Sequence, residues 1–162
     1  MSDTLRKVPE LSLLSFTKGN ATERAQFVDK LFSGIKDYGF IILTDHNVED
    51  SVIKNGYQAV EDFFALSEET KKKYVSPQKG GQRGYTPFGE EHAKDNPHMD
   101  LKEFYHVGRQ VSSDHRFSKY YPNNIWPEEI SGFETNLQSL YNSLDQTSEH
   151  LLDALGLALE VP

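Results

Sequence analysis

The stretch Tyr38-Gly39-Phe40-Ile41-Ile42-Leu43-Thr44-Asp45-His46 constrains this chain more than any other. The run from Phe40 to Leu43 is wholly apolar and leaves no polar face for water. A short segment of bulky and β-branched residues like this suits a strand covered on both sides. Gly39 fits a left-handed helix stop, and Thr44-Asp45-His46-Asn47 reads as a turn. Amphipathic helical patterns flank the run, so the expected core is a strand set between helices.

Val8-Pro9-Glu10-Leu11-Ser12-Leu13 alternates apolar and polar, as a half-buried strand does, and Lys18-Gly19 makes a turn. Asn20 with Glu23 three residues on has the form of a capping box. Phe27, Val28, Leu31, Phe32, Ile35 and Tyr38 then form one stripe, predicting a helix from about Ala21 to Asp37. Val52, Ile53, Tyr57, Val60, Phe63 and Phe64 predict a second helix, roughly Glu49 to Ala65. In Ser67-Glu68-Glu69-Thr70-Lys71-Lys72-Lys73 a capping residue and acids come first and bases last, which suits a short third helix with a solvated basic end. Residues 76–97 are broken by glycines and prolines and read as loop, with Tyr85 and Phe88 as rings that need something to cover. A strand is expected from about Glu103 to Val107, and residues 110–121 are irregular. Pro127 suits a first helical position, and from Glu128 a stripe through Ile130, Phe133, Leu137, Leu140, Tyr141, Leu144, Leu151, Leu152 and Leu155 predicts a long helix ending near Gly156. The fold class expected is α/β (α+β).

At 162 residues one domain is expected, since a chain near this length buries roughly 70% of its unfolded surface. Three stretches divide it: 1–75 as strand-helix-strand-helix, 76–122 as loop and strand, 123–162 as a long helix. There are no cysteines, so disulfides, thiolate zinc sites and cysteine nucleophiles are excluded. A formal net charge of −8 argues against a nucleic-acid or anionic-lipid surface. No apolar signal core follows Met1 and no long apolar span appears, which makes a cytoplasmic location the expectation, with no membrane partner. Without a secretory signal, the acceptor pattern Asn20-Ala21-Thr22 carries no weight. The apolar, abrupt end at Leu157, Leu159 and Val161 leads us to expect that the native chain continues.

Six histidines invite a metal reading, and His98, Asp100 and a distant His150 have the order of a two-His-one-carboxylate set. The context opposes it: Asn96-Pro97-His98 is a proline-interrupted loop and His150 lies mid-helix. Gly80-Gly81-Gln82-Arg83-Gly84 lacks the Lys-Ser/Thr of a phosphate loop, and no Gly-x-Ser-x-Gly is present. His92, His106, Glu90 and Glu91 read as surface or hydrogen-bonded groups. Arg83 and Tyr85, two apart, have the chemistry of a clamp for a carboxylate-bearing small molecule. The alternative is that Arg83 pairs with a nearby carboxylate while Tyr85 covers the core. No catalytic residue and no metal ligand is expected within these residues.

The organising stretch resembles the GFF-x-(I/V)-x-N-H-G segment of the isopenicillin N synthase-like 2-oxoglutarate/iron(II) dioxygenases. Phe63-Phe64-Ala65-Leu66-Ser67-Glu68-Glu69-Thr70-Lys71 is similar to that family's FF-x-L-P-x-E-x-K segment. Gly84-Tyr85, Asp100-Leu101-Lys102-Glu103-Phe104 and Asn124-Ile125-Trp126-Pro127 follow in the family's order. Asn47 departs from the usual Gly. The resemblance implies the N-terminal region of such an enzyme, with the jelly-roll core, the iron ligands and the 2-oxoglutarate-binding residues all lying beyond these residues. It further implies no cofactor bound by this chain alone, Fe(II) and 2-oxoglutarate in the complete protein, a partner in its own C-terminal jelly-roll, and Arg83 and Tyr85 beside a small organic substrate. A rival reading is a non-catalytic interaction module that forms a homodimer through the 130–155 helix.

Overall fold

A computed structural model describes residues 7–76, 82–92, 94–95 and 97–161. Of the stretch 76–97 expected as loop, residues 77–81, 93 and 96 lie outside the described residues. The chain divides into two compact units, one of residues 1–48 with 143–162 and the other of residues 49–142. Helices and strands are mixed in both.

In the first unit, β1 (Glu10–Ser12) leads directly into a short helix α1 (Leu13–Thr17), which ends before α2 (Ala21–Tyr38) and β2 (Ile42–Thr44). The strands β1 and β2 are parallel, with Leu11 opposite Leu43. Parallel neighbours require a crossover, and the two helices supply it. Asn20 builds the expected capping box, its Oδ1 accepting from the N–H groups of Thr22 (2.9 Å) and Glu23 (3.1 Å) while the Glu23 carboxylate accepts from the Asn20 N–H at 2.8 Å. Gly39, at φ +83°, ends the helix as expected. Leu11, Leu13, Phe16, Phe27, Leu31 and Ala154 form the core, with Val28, Ile41, Leu43, Leu151 and Leu155 packed around it. At Gly34 a Cβ would stand 2.6 Å from Ile41 Cγ2 and 3.1 Å from Pro9, so its absence lets α2 lie close to the strand pair.

Three expectations change here. Phe40 and Ile42 are 60% and 46% exposed, so the apolar run is covered on one side, through Ile41 and Leu43, and not on two. Leu13, expected in a strand, instead opens α1, where Leu13 and Phe16 share a buried face. Phe32 and Ile35 lie exposed at the edge of the α2 stripe.

The second unit holds α3 (Asp50–Phe64), α4 (Glu68–Lys72), β3 (Gly84–Thr86), β4 (Phe104–His106), a 3-10 turn at Ser118–Tyr120 and the first part of α5 (Phe133–Ala158), the helix that runs on into the first unit. Strands β3 and β4 pair antiparallel, Tyr85 opposite Tyr105, so part of the stretch expected as loop is strand. Phe63 is 0% exposed and sits among rings, with centroids 4.7 Å to Tyr105, 5.6 Å to Tyr85, 5.8 Å to Phe133 and 6.2 Å to Tyr74. Edge-to-face pairs of this kind favour a single fixed packing. On α3 the small residues Gly56 and Ala59 face inward with Phe63, while Tyr57, expected on the stripe, points to solvent. The long helix starts at Phe133 and not at Glu128. Gly132 at φ +77° is non-helical, and its carbonyl accepts the N–H of Asn136 at 2.9 Å.

Candidate functional site

The second unit gathers three of the segments singled out in the sequence around one carboxylate, that of Glu103. Ser67 caps α4 by accepting the Thr70 N–H at 3.2 Å, and this fixes the helix that carries Lys71. Lys71 is buried, and its Nζ lies 2.8 Å from Glu103 Oε2. The hydroxyl of Tyr85, a residue 3% exposed, donates to the same oxygen. The Lys71 ammonium also stands 5.5 Å from the centre of the Tyr85 ring and 5.9 Å from that of Phe64. The basic run is therefore not wholly a solvated helix end: Lys71 is turned inward because Glu103 is there to meet it. Burial, then the neighbouring Glu103, pushes the Tyr85 hydroxyl up. Burial alone would raise the Glu103 carboxyl, but the hydrogen bonds from Lys71 and Tyr85 and the Lys71 charge outweigh it and hold the group below the usual carboxylate range.

A second anchor lies close by in sequence. Tyr74 donates to Glu129 and accepts the Glu128 N–H at 3.1 Å, and Lys73 stands 3.4 Å from the same carboxylate group. Tyr105 donates to the carbonyl of Ile125. These contacts tie the 125–129 segment to the aromatic core.

Arg83 precedes β3. Gly84 between it and Tyr85 has φ +74°, and a Cβ there would run into the Tyr74 carbonyl oxygen and Ile125. This left-handed residue breaks the simple two-residue alternation, and the structure gives Arg83 and Tyr85 separate partners. The Tyr85 hydroxyl is on Glu103; the Arg83 guanidinium lies over Gly108, where a Cβ would collide with it. Arg83 Nη1 donates to the Gln82 carbonyl at 2.6 Å, while Nε is buried with no partner. Among the described residues no carboxylate pairs with Arg83. A guanidinium that no carboxylate neutralises among the described residues has the chemistry to pair with one.

Asp100 is engaged by Lys102 at 3.0 Å, and its N–H donates to the Glu91 carbonyl at 2.8 Å. His106 stacks near Phe104, ring centres 4.7 Å apart. His150, in the first unit, lines a cavity of about 480 Å³ with Lys18, Asp45 and His46. Among the described residues no group of three or more His, Asp or Glu is placed to hold a metal ion. Sequence reasoning missed the inward Lys71 and the part played by Asn124, whose amide holds Gly108 through N–H···Oδ1 and Nδ2–H···O bonds, each 2.9 Å. The signal for Asn124 was its place in the Asn124-Ile125-Trp126-Pro127 block, which by itself named no role.

A family model described as non-haem dioxygenase in morphine synthesis, N-terminal, matches residues 8–129. The 2-oxoglutarate-dependent dioxygenase ucsF of an Acremonium species is 28% identical over 151 residues, covering 86% of this chain and 43% of its own length. The 2-oxoglutarate-dependent dioxygenase imqE of Aspergillus flavus is 28% identical over 188 residues, covering 100% of this chain and 51% of its own. Among solved structures, a Caulobacter crescentus protein described as a 2OG-Fe(II) oxygenase family member superposes with TM-score 0.80 at 38% identity, over 95% of this chain and 49% of its own. A full-length Neurospora crassa protein in complex with alpha-KG and thymine superposes with TM-score 0.78 at 20% identity, over 100% of this chain and 51% of its own, a likeness of fold. The chain spans about half the length of the curated relatives it matches. Among the described residues no helix is long and apolar enough to cross a membrane.

Proposed function

The chain belongs to the non-haem dioxygenase N-terminal family, and on that premise we propose that it is the scaffold and substrate-side region of an Fe(II)/2-oxoglutarate-dependent oxidoreductase acting on a small organic substrate. The observation that carries the substrate-side reading is Arg83: a half-buried guanidinium with an unpartnered Nε and no carboxylate of its own among the described residues. A hydrogen bond from a guanidinium to a carboxylate contributes about 1.5–3 kcal/mol. Arg83 is the residue that meets the substrate carboxylate in this reading. Tyr85 lies beside it and fixes strand β3 through Glu103.

Iron and 2-oxoglutarate belong to the complete protein in this proposal; when bound, they supply the oxidising chemistry. The described residues bring no three-ligand cluster, so none of them is assigned to the metal. What these residues do is hold a wall and a cation in place. Exposed apolar side chains in the first unit, Phe40, Ile42, Leu144 and Leu152, support packing against the protein's own jelly-roll half, because burying each such side chain contributes about 1.5–3 kcal/mol.

Calorimetric titration of Mn(II) tests the division of labour. This chain alone is expected to show no stoichiometric sub-micromolar site, and the reading frame extended to the length of its relatives is expected to show one. A tight stoichiometric site in this chain alone would contradict the proposal.

A further inference from the structure

We propose that Asn124 is a positioning residue for Arg83 and acts through the backbone of Gly108. The guanidinium of Arg83 rests where a Cβ on residue 108 would collide with its Cζ and both Nη atoms, so only glycine lets the head occupy that place. The single hydrogen bond the head makes among the described residues, to the Gln82 carbonyl at 2.6 Å, goes to the adjacent residue and restrains it only locally. Where the cation stands is therefore set by where the backbone of residue 108 stands.

That backbone lies beyond the end of β4, and its two polar groups are both taken by one side chain. Gly108 N–H donates to Asn124 Oδ1 at 2.9 Å, and Asn124 Nδ2 donates to the Gly108 carbonyl at 2.9 Å. A primary amide offers a donor and an acceptor in one plane, and so reproduces what a neighbouring strand would provide; a carboxylate offers acceptors only. Asn124 is itself anchored from the next residue on, because the Ile125 carbonyl accepts from Tyr105 and Ile125 and Trp126 pack on the aromatic core. The order of support runs from that core through Asn124 and Gly108 to the Arg83 head. Its consequence for binding rests on the carboxylate-clamp reading of Arg83, but the arrangement itself is tested without any ligand.

The test follows the Arg83 Nε–H in nitrogen-15 NMR spectra of the protein, identified by its disappearance in Arg83→Lys. In the wild type this proton is expected to exchange with solvent more slowly than those of exposed arginines. Asn124→Ala is expected to speed the exchange by about tenfold with the backbone amide spectrum still dispersed, and Gly108→Ala to do the same with Asn124 intact. Asn124→Asp keeps the acceptor for Gly108 N–H and loses the donor, so it is expected to shift exchange in the same direction; it carries the test should Asn124→Ala unfold. Exchange within about twofold of wild type in a folded Asn124 variant, or no change in Gly108→Ala, would overturn the proposal. Because the readout contains no ligand, a failure of Arg83 to bind carboxylates would leave it unmoved, whereas a failed support would appear here.

Discussion

Lys71 Nζ lies 2.8 Å from Glu103 Oε2 across 32 residues of sequence, and the pair is largely removed from water. Breaking such a pair from one side leaves a buried charge unmatched, at a cost of about 3–5 kcal/mol. Lys71→Met and Glu103→Gln are each expected to lower the urea midpoint strongly. The double variant Lys71→Met/Glu103→Leu is expected to recover part of the loss, because two charges leave together. Single variants within about 0.5 kcal/mol of wild type, the range of ordinary surface substitutions, would show that the pair contributes little.

The same network sets a pH dependence at both ends. Glu103 is held below its ordinary value, so its contribution is fully present above the unfolded carboxyl value of about 4.3 and is lost as pH falls through the lower folded value. Tyr85 is pushed above its ordinary value, so its contribution is present below about pH 10 and is lost as pH rises through the higher folded value. Glu103→Gln is expected to shallow the acid limb of a melting-temperature profile, and Tyr85→Phe the alkaline limb. Neither limb vanishes, since Glu129 is also lowered by its hydrogen bond from Tyr74, and burial raises Tyr74 and Tyr105. An unchanged acid limb in Glu103→Gln would contradict this assignment.

The helix ends were the most legible part of the sequence, because they are local. Asn20 with Glu23, Gly39 and Ser67 each act within one turn, and each does what its spacing predicts. Asn20→Ala is accordingly expected to cost about 0.5–2 kcal/mol in thermal unfolding, with a loss of helical ellipticity. A neutral result would mean that α2 is held by its packed face alone.

What the sequence hid is non-local. Lys71 in a run of three lysines reads as solvated until Glu103 folds beside it. β3 lies inside a stretch broken by glycine and proline, and it becomes a strand through pairing with β4. Pro127 suggested a helix start that the left-handed Gly132 postpones to Phe133. Arg83 and Tyr85 were legible as a pair, but Gly84 between them gives each its own partner, and the amide of Asn124 meets Gly108 only in three dimensions.

Phe63 stands at the centre of the ring cluster in the second unit, and truncating it would leave a space bordered by Tyr85 and Tyr105. Phe63→Ala is expected to destabilise by about 3–5 kcal/mol in urea and to loosen β3 and β4, seen as faster amide exchange at Tyr85 and Tyr105. Loss of stability with no change in strand exchange would show that the rings and the strands are not coupled.

The central claim, that Arg83 faces a substrate carboxylate in a 2-oxoglutarate-dependent oxidoreductase, is tested most directly by kinetics on the complete reading frame. Succinate formation would be measured with a panel of small acids and their neutral amides, in wild type and in Arg83→Gln. A charge-assisted contact of about 1.5–3 kcal/mol corresponds to a rise in KM of roughly 10- to 150-fold for the acids, and little change is expected for the amides. An Arg83→Gln enzyme with wild-type KM for every acid that it turns over, or a complete protein that consumes no 2-oxoglutarate, would contradict the account.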